Sequence, residues 1–145
     1  AGLDIELGHL QDLVKTMEAL VREERPQNII IEASGVATPD GIADSLSYYG
    51  GPPFASTRSI GVLDPTRLEA LIEVMTPLIE SQIAGVDEII VTKTDLATGA
   101  EVAQARSVAE RLNPKAALRT LSATDPVALA DLARSLAKPG RTSWS

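Results

Sequence analysis

Apolar residues recur at three- and four-residue steps through Leu7, Leu10, Leu13, Val14, Met17, Leu20 and Val21, the single stripe of an amphipathic helix that Pro26 ends. Asn28-Ile29-Ile30-Ile31-Glu32 follows as an apolar β-branched run without alternation. That pattern predicts a strand covered on both faces, as in parallel α/β sheets. Thr38 can cap the free amides of a second helix with Pro39 in its first turn, running to about Tyr48, before Gly50-Gly51-Pro52-Pro53 forces a loop. The alternation then repeats. Ser59 to Leu63 reads as a strand, Asp64-Pro65 as cap and first turn, and Leu68 through Ala84 as a helix interrupted near Pro77, with Thr76 as a new cap. Glu88 to Thr92 is the third strand, Thr98 and Glu101 have the spacing of a capping box for a helix to Leu112, and Ala117 to Leu121 is the fourth strand. A last helix follows Pro126 and ends by Pro139-Gly140.

Strands alternating with helices predict an α/β fold, a parallel sheet of about four strands with helices on both faces and right-handed crossovers. Such a sheet binds its ligands at the carboxyl ends of its strands. The 145 residues give one domain, 1–140, with 141–145 as a tail in which the lone Trp144 docks locally or stands exposed.

Charge and composition remove whole classes of function. With 13 basic and 20 acidic side chains the net charge is −7, and no cluster of Lys and Arg is present, which argues against nucleic acid and anionic membrane surfaces. The apolar runs are far shorter than the roughly 20 residues of a membrane span, and the beginning of the chain lacks a signal-peptide layout. A cytoplasmic location is expected. With no Cys and only His9, thiolate zinc sites, cysteine nucleophiles and multi-histidine metal clusters drop out. Carboxylates, hydroxyls, lysines and backbone amides remain, the groups with which phosphate chemistry is done.

These groups gather where the predicted strands end. Glu32-Ala33-Ser34-Gly35 offers a carboxylate able to hold a hydrated Mg²⁺ and a glycine that lets a backbone amide approach a phosphate; it also reads as an ordinary exposed strand end with a turn. Thr92-Lys93-Thr94-Asp95 offers an Asp carboxylate for the N1 and N2 edge of guanine, with the Lys stem packing on the base, or else a solvated loop. Adenine has no such donor pair. Leu121-Ser122-Ala123 places an amide beside small side chains, where it can meet the guanine carbonyl. His9 is either a metal ligand or a solvated residue, and Asp64 either approaches a nucleotide or serves as a helix cap.

Taken in order, Glu32-Ala33-Ser34-Gly35-Val36-Ala37-Thr38-Pro39, then Gly61-Val62-Leu63-Asp64, then the run from Gln82 to Asp95, then Leu112-Asn113-Pro114 resemble the CobW-type branch of the P-loop GTPases, which includes the HypB and UreG proteins. The resemblance covers roughly residues 7 to 138. It implies a P-loop NTPase-like fold, GTP or GDP with Mg²⁺ as ligands, and metal delivery or cobalamin-linked enzyme activation as the setting. It also implies site roles: Glu32 at the Mg²⁺, Gly35 at the γ-phosphate, and Thr92, Lys93, Asp95, Ser122 and Ala123 at the guanine.

Three departures qualify the likeness. The chain has no G-x-x-x-x-G-K-[ST] loop, so it reads as a domain lacking its first strand, phosphate loop and first helix, and the chain alone is expected not to hydrolyse GTP. Gly2 to Glu6 stand where the family's C-x-C-C motif falls, without cysteine, so a transferred metal is not indicated. Thr92 replaces the Asn of N-K-x-D. The expected partners are a guanine nucleotide, a client metalloenzyme or partner protein, and a second copy joined through open sheet edges. The competing expectation is a non-catalytic, degenerate nucleotide fold that binds a partner protein.

Overall fold

In the computed structural model of the protein, residues 10–35 and 37–140 are described. His9, Val36, the segment Gly2 to Glu6 and the tail 141–145 lie outside them. The chain divides into two compact units, up to Phe54 and from Ala55.

The first unit contains α1 (Leu10–Glu24) and α2 (Pro39–Leu46). Leu13 and Met17 of the α1 stripe and Leu46 of α2 form its core, with Ile29, Ile31, Ile42, Tyr49 and Phe54 packed against them. The Thr38 side chain accepts from the Gly41 amide at 3.2 Å and Pro39 opens the helix, as the sequence predicts. Glu18 accepts from the Gly50 amide at 2.9 Å, tying α1 to the glycine-rich loop.

The strand expected at Asn28–Glu32 does not form; these residues belong to no ladder. Ile29 and Ile31 turn into the core while Ile30 is 87 % exposed, so the segment is covered on one side only. Composition and β-branching supply extended backbone. A strand also needs a neighbour to take its amides and carbonyls, and that requirement is invisible in a local run.

The second unit holds β1 (Ile60–Leu63), α3 (Pro65–Ile83), β2 (Glu88–Val91), α4 (Gly99–Leu112), β3 (Ala117–Thr120) and α5 (Pro126–Leu136). Its sheet is parallel with three strands in the order β1-β2-β3, so the α/β class holds with one strand fewer than expected. The register aligns Leu63 with Val91 and Val91 with Thr120. Leu63, Ile89, Val91 and Leu118 share one face, and Leu68, Ile79 and Ile83 of α3 with Ala105, Val108 and Ala109 of α4 cover it. Gly61 permits this contact: a Cβ there would stand 2.7 Å from Ile83 Cδ1. On the other face Val62 is 63 % exposed.

The helix ends follow their local signals. Thr98 and Glu101 close a complete capping box on α4, and Asp125 caps α5 through the Val127 and Ala128 amides. In α3 the backbone leaves helical angles at Met75, two residues before Pro77, whose ring has no N–H to donate. Thr76 is not a cap, however: its hydroxyl donates back to the Ile72 carbonyl.

At the foot of the sheet the Glu88 carboxylate is buried and paired with Arg119 at 2.9 Å, while Arg58, 3.9 Å away, donates to the Ser135 carbonyl. Asn113 has the most connected polar side chain of the unit's core. It is 7 % exposed; its amide nitrogen donates to the Ile83 and Val86 carbonyls, each at 2.9 Å, and its oxygen accepts from the Lys115 and Ala116 amides. One residue thereby joins the end of α3, the entry to β2 and the turn into β3. Asn113→Ala strands those buried groups and is expected to lower stability by about 2–4 kcal/mol, seen as a lower urea midpoint at an unchanged slope. An unchanged midpoint would show that these bonds contribute nothing net.

Candidate functional site

A parallel sheet delivers every strand's carboxyl end to the same side, and here those ends carry the polar residues. Past the last paired residues the ladder continues by one bond on each side: the Thr92 amide donates to the Leu63 carbonyl at 2.9 Å, and the Leu121 amide to the Val91 carbonyl at 3.0 Å. The residues that follow β1, β2 and β3 are thus side by side.

After β2 the chain turns through Lys93, whose φ of 52° is in the left-handed region. The Leu96 and Ala97 amides both donate to the Lys93 carbonyl, at 3.0 and 3.2 Å, which closes the turn and presents Asp95 at its exposed crest. After β3 the Ser122 side chain is buried, and its hydroxyl donates to Asp95 Oδ1 at 2.5 Å. That hydroxyl is itself oriented by the Thr124 amide at 3.1 Å and the Thr124 hydroxyl at 2.7 Å. A carboxylate held this way keeps accepting capacity for a ligand with adjacent N–H donors. Thr92 is half-buried and contributes its backbone to the ladder; Ala123 is exposed beside Ser122.

After β1 comes Asp64, the N-cap of α3. Its Oδ1 accepts from the Thr66 amide at 3.0 Å and the Thr66 hydroxyl at 2.6 Å, and its Oδ2 from the Lys93 ammonium, also at 2.6 Å. Of the two roles open to Asp64, the cap is the one formed. Burial works to raise its pKa, but the hydrogen bonds from Lys93 and Thr66 together outweigh it and hold the carboxyl below its ordinary value of 3.8.

Asp95 and Ser122 are therefore brought together across the ends of two strands, and Lys93 of the same loop is joined to Asp64. Glu32 and Gly35 belong to the other compact unit, where both are exposed. There the Ala37 amide donates to the Ser34 carbonyl at 2.9 Å, forming a turn ahead of the Thr38 cap. Among the described residues no group of three or more His, Asp or Glu side chains is placed to hold a metal.

Sequence reasoning missed two features. Thr124 supports Ser122 through a Ser-x-Thr spacing that signals a local hydroxyl turn. The Asp64–Lys93 pair spans 29 residues and has no local signal. The cleft lined by Arg58, Asp87, Glu88 and Arg119 lies at the opposite ends of the strands, where Arg119 is paired with Glu88 and Arg58 donates to the Ser135 carbonyl.

Asp64 also sets a pH dependence. Its folded-state pKa is depressed, so its stabilisation is complete above the ordinary carboxylate value and fades as pH falls through the lower folded-state value. Asp64→Asn keeps a capping side chain and is expected to flatten this part of the acid limb, leaving less stability lost between pH 5 and pH 2 in thermal melts. An acid limb identical to the unsubstituted chain would show the carboxyl to be unlinked to folding.

A comparison with curated proteins and with solved structures finds no match. A family model, "CobW/HypB/UreG, nucleotide-binding domain", matches residues 8–119. The match takes in Glu32, the cap at Asp64 and the loop bearing Lys93 and Asp95, and stops short of Ser122. No helix among the described residues is long and apolar enough to cross a membrane. Spanning most of the sequence, the match makes the chain a member of the CobW/HypB/UreG nucleotide-binding family.

Proposed function

We propose that this chain is the guanine-reading and switch portion of a CobW-like GTPase, whose nucleotide cycle gates metal delivery or cobalamin-linked enzyme activation. The observation that carries the reading is the bond from the buried Ser122 hydroxyl to Asp95, because it aims an exposed carboxylate from the end of one strand across the end of the next. A carboxylate so placed pairs with the adjacent N1–H and N2–H of guanine, and adenine presents no such edge. Lys93 covers the base with its stem, and the backbone at Ser122 and Ala123 faces the guanine carbonyl. Thr92 serves through the ladder bond that fixes the loop.

Glu32 and Gly35 have the second task. A Cβ at Gly35 would meet nothing within 4 Å, and its φ is not left-handed. Gly35 would let a phosphate come close to the backbone there. Glu32 would hold Mg²⁺ through its waters, the ion's part being to neutralise phosphate charge. The turn from Ser34 to the Thr38 cap then links the phosphate end to α2, the kind of segment that reports nucleotide state.

The test is a titration of the chain with GDP, GTP and ADP in Mg²⁺, followed by amide chemical shifts and repeated with Asp95→Asn. The expected result is weak binding, with a Kd of order 1 mM, selective for guanine. Loss of charge-assisted bonds worth about 1.5–3 kcal/mol each should reduce that selectivity at least about tenfold in the variant. The chain alone should release no phosphate from GTP above the buffer rate. Equal binding of ADP and GDP would overturn the guanine reading, and turnover like that of an intact GTPase would overturn the expectation of inactivity.

A further inference from the structure

We infer that Asp64 is a positioning residue for base recognition: its carboxylate holds the Lys93 ammonium so that the lysine stem stands ready as a wall of the base site, and Lys93 does not act as a phosphate cation. The inference rests on the guanine reading above and adds to it a division of labour between the two residues.

Ser, Thr and Asn cap helices about as well as Asp, and capping here uses only Oδ1, through Thr66. The second oxygen is spent 29 residues away, at 2.6 Å from Lys93 Nζ. Only a carboxylate performs both tasks at once. The Asp64 side chain is 18 % exposed and fixed by its cap bonds, so it is a rigid anchor, while the Lys93 side chain is 49 % exposed. A lysine stem left alone samples many rotamers, and fixing its far end removes that freedom before a ligand arrives.

Lys93 is held at its near end too. Its left-handed φ is fixed by the two amides on its carbonyl and by the neighbouring Thr92 ladder bond. Clamped at backbone and ammonium, the residue offers a ligand its methylene groups, a surface suited to the flat face of a base. Its positive charge is already matched by Asp64, so its pull on a phosphate is small.

The experiment compares guanosine, which lacks phosphate, with GDP, using the full chain, Asp64→Asn, Lys93→Ala and the double variant, with Asp95→Asn as the control for guanine reading. Asp64→Asn is expected to weaken guanosine and GDP by the same factor, about 3- to 10-fold, and the double variant to bind no more weakly than Lys93→Ala alone. The thermal midpoint at pH 7 reports folding; should Asp64→Asn not fold, Asp64→Ser retains a cap and is read in the same way. The inference is overturned if losses in the double variant multiply, or if Asp64→Asn binds guanosine unchanged. It is equally overturned if Asp64→Asn binds GDP more tightly through a released ammonium. If the unsubstituted chain and Asp95→Asn alike ignore the difference between guanosine and adenosine, the guanine reading fails first and takes this inference with it. Guanine selectivity that survives alongside an inert Asp64 separates the two outcomes.

Discussion

Everything at the site depends on the burial of β2. Ile89 and Val91 are fully enclosed between β1, β3 and the two helices α3 and α4, and the parallel register on either side fixes where each neighbouring strand stops. Hydrophobic burial of this kind has no direction of its own, but a strand with two neighbours in fixed register converts it into direction. The chain then leaves the core at three adjoining points, and polar side chains become neighbours there although 28 or so residues separate successive strands.

Two kinds of interaction meet at those points. Capping bonds are local: Asp64 to Thr66, Thr98 to Glu101 and Asp125 to Val127 each satisfy helix amides within a turn. The bonds from Ser122 to Asp95 and from Lys93 to Asp64 are long-range and cross from one strand end to the next. Both bonds fix the direction of a side chain at the end of a strand. The buried bracket around Asn113 has the opposite balance: it presents nothing to solvent and secures the turn that brings β3 alongside β2.

Legibility in the sequence follows the same division. The helices, the caps at Thr38, Asp64 and Thr98, and three parallel strands could be read because each is written in residues a few positions apart. Lys93, Asp95 and Ser122 could be nominated because a parallel sheet collects strand ends, although their mutual bonds could not. Asn28–Glu32 has strand composition, but a pairing neighbour is a matter of tertiary context, and Ile30 stands exposed instead. Thr76 has the right place for a cap but uses its hydroxyl as a donor, a choice set by the kinked backbone around Met75. The Arg119–Glu88 pair joins residues 31 apart on strands whose register no local pattern reveals.

The register has a kinetic meaning as well. Every rung of this sheet closes a loop that contains a whole helix, so none of its pairings can form early on the strength of proximity along the chain. Contacts of such range raise the contact order and slow folding, because loop-closure entropy is spent before the rung returns anything. Helices α3 and α4 can gain structure locally; the alignment of β1, β2 and β3 must wait for them to pack. The bond from Ser122 to Asp95 requires two of those strands already in register, which puts recognition chemistry downstream of the slowest step in the making of the sheet.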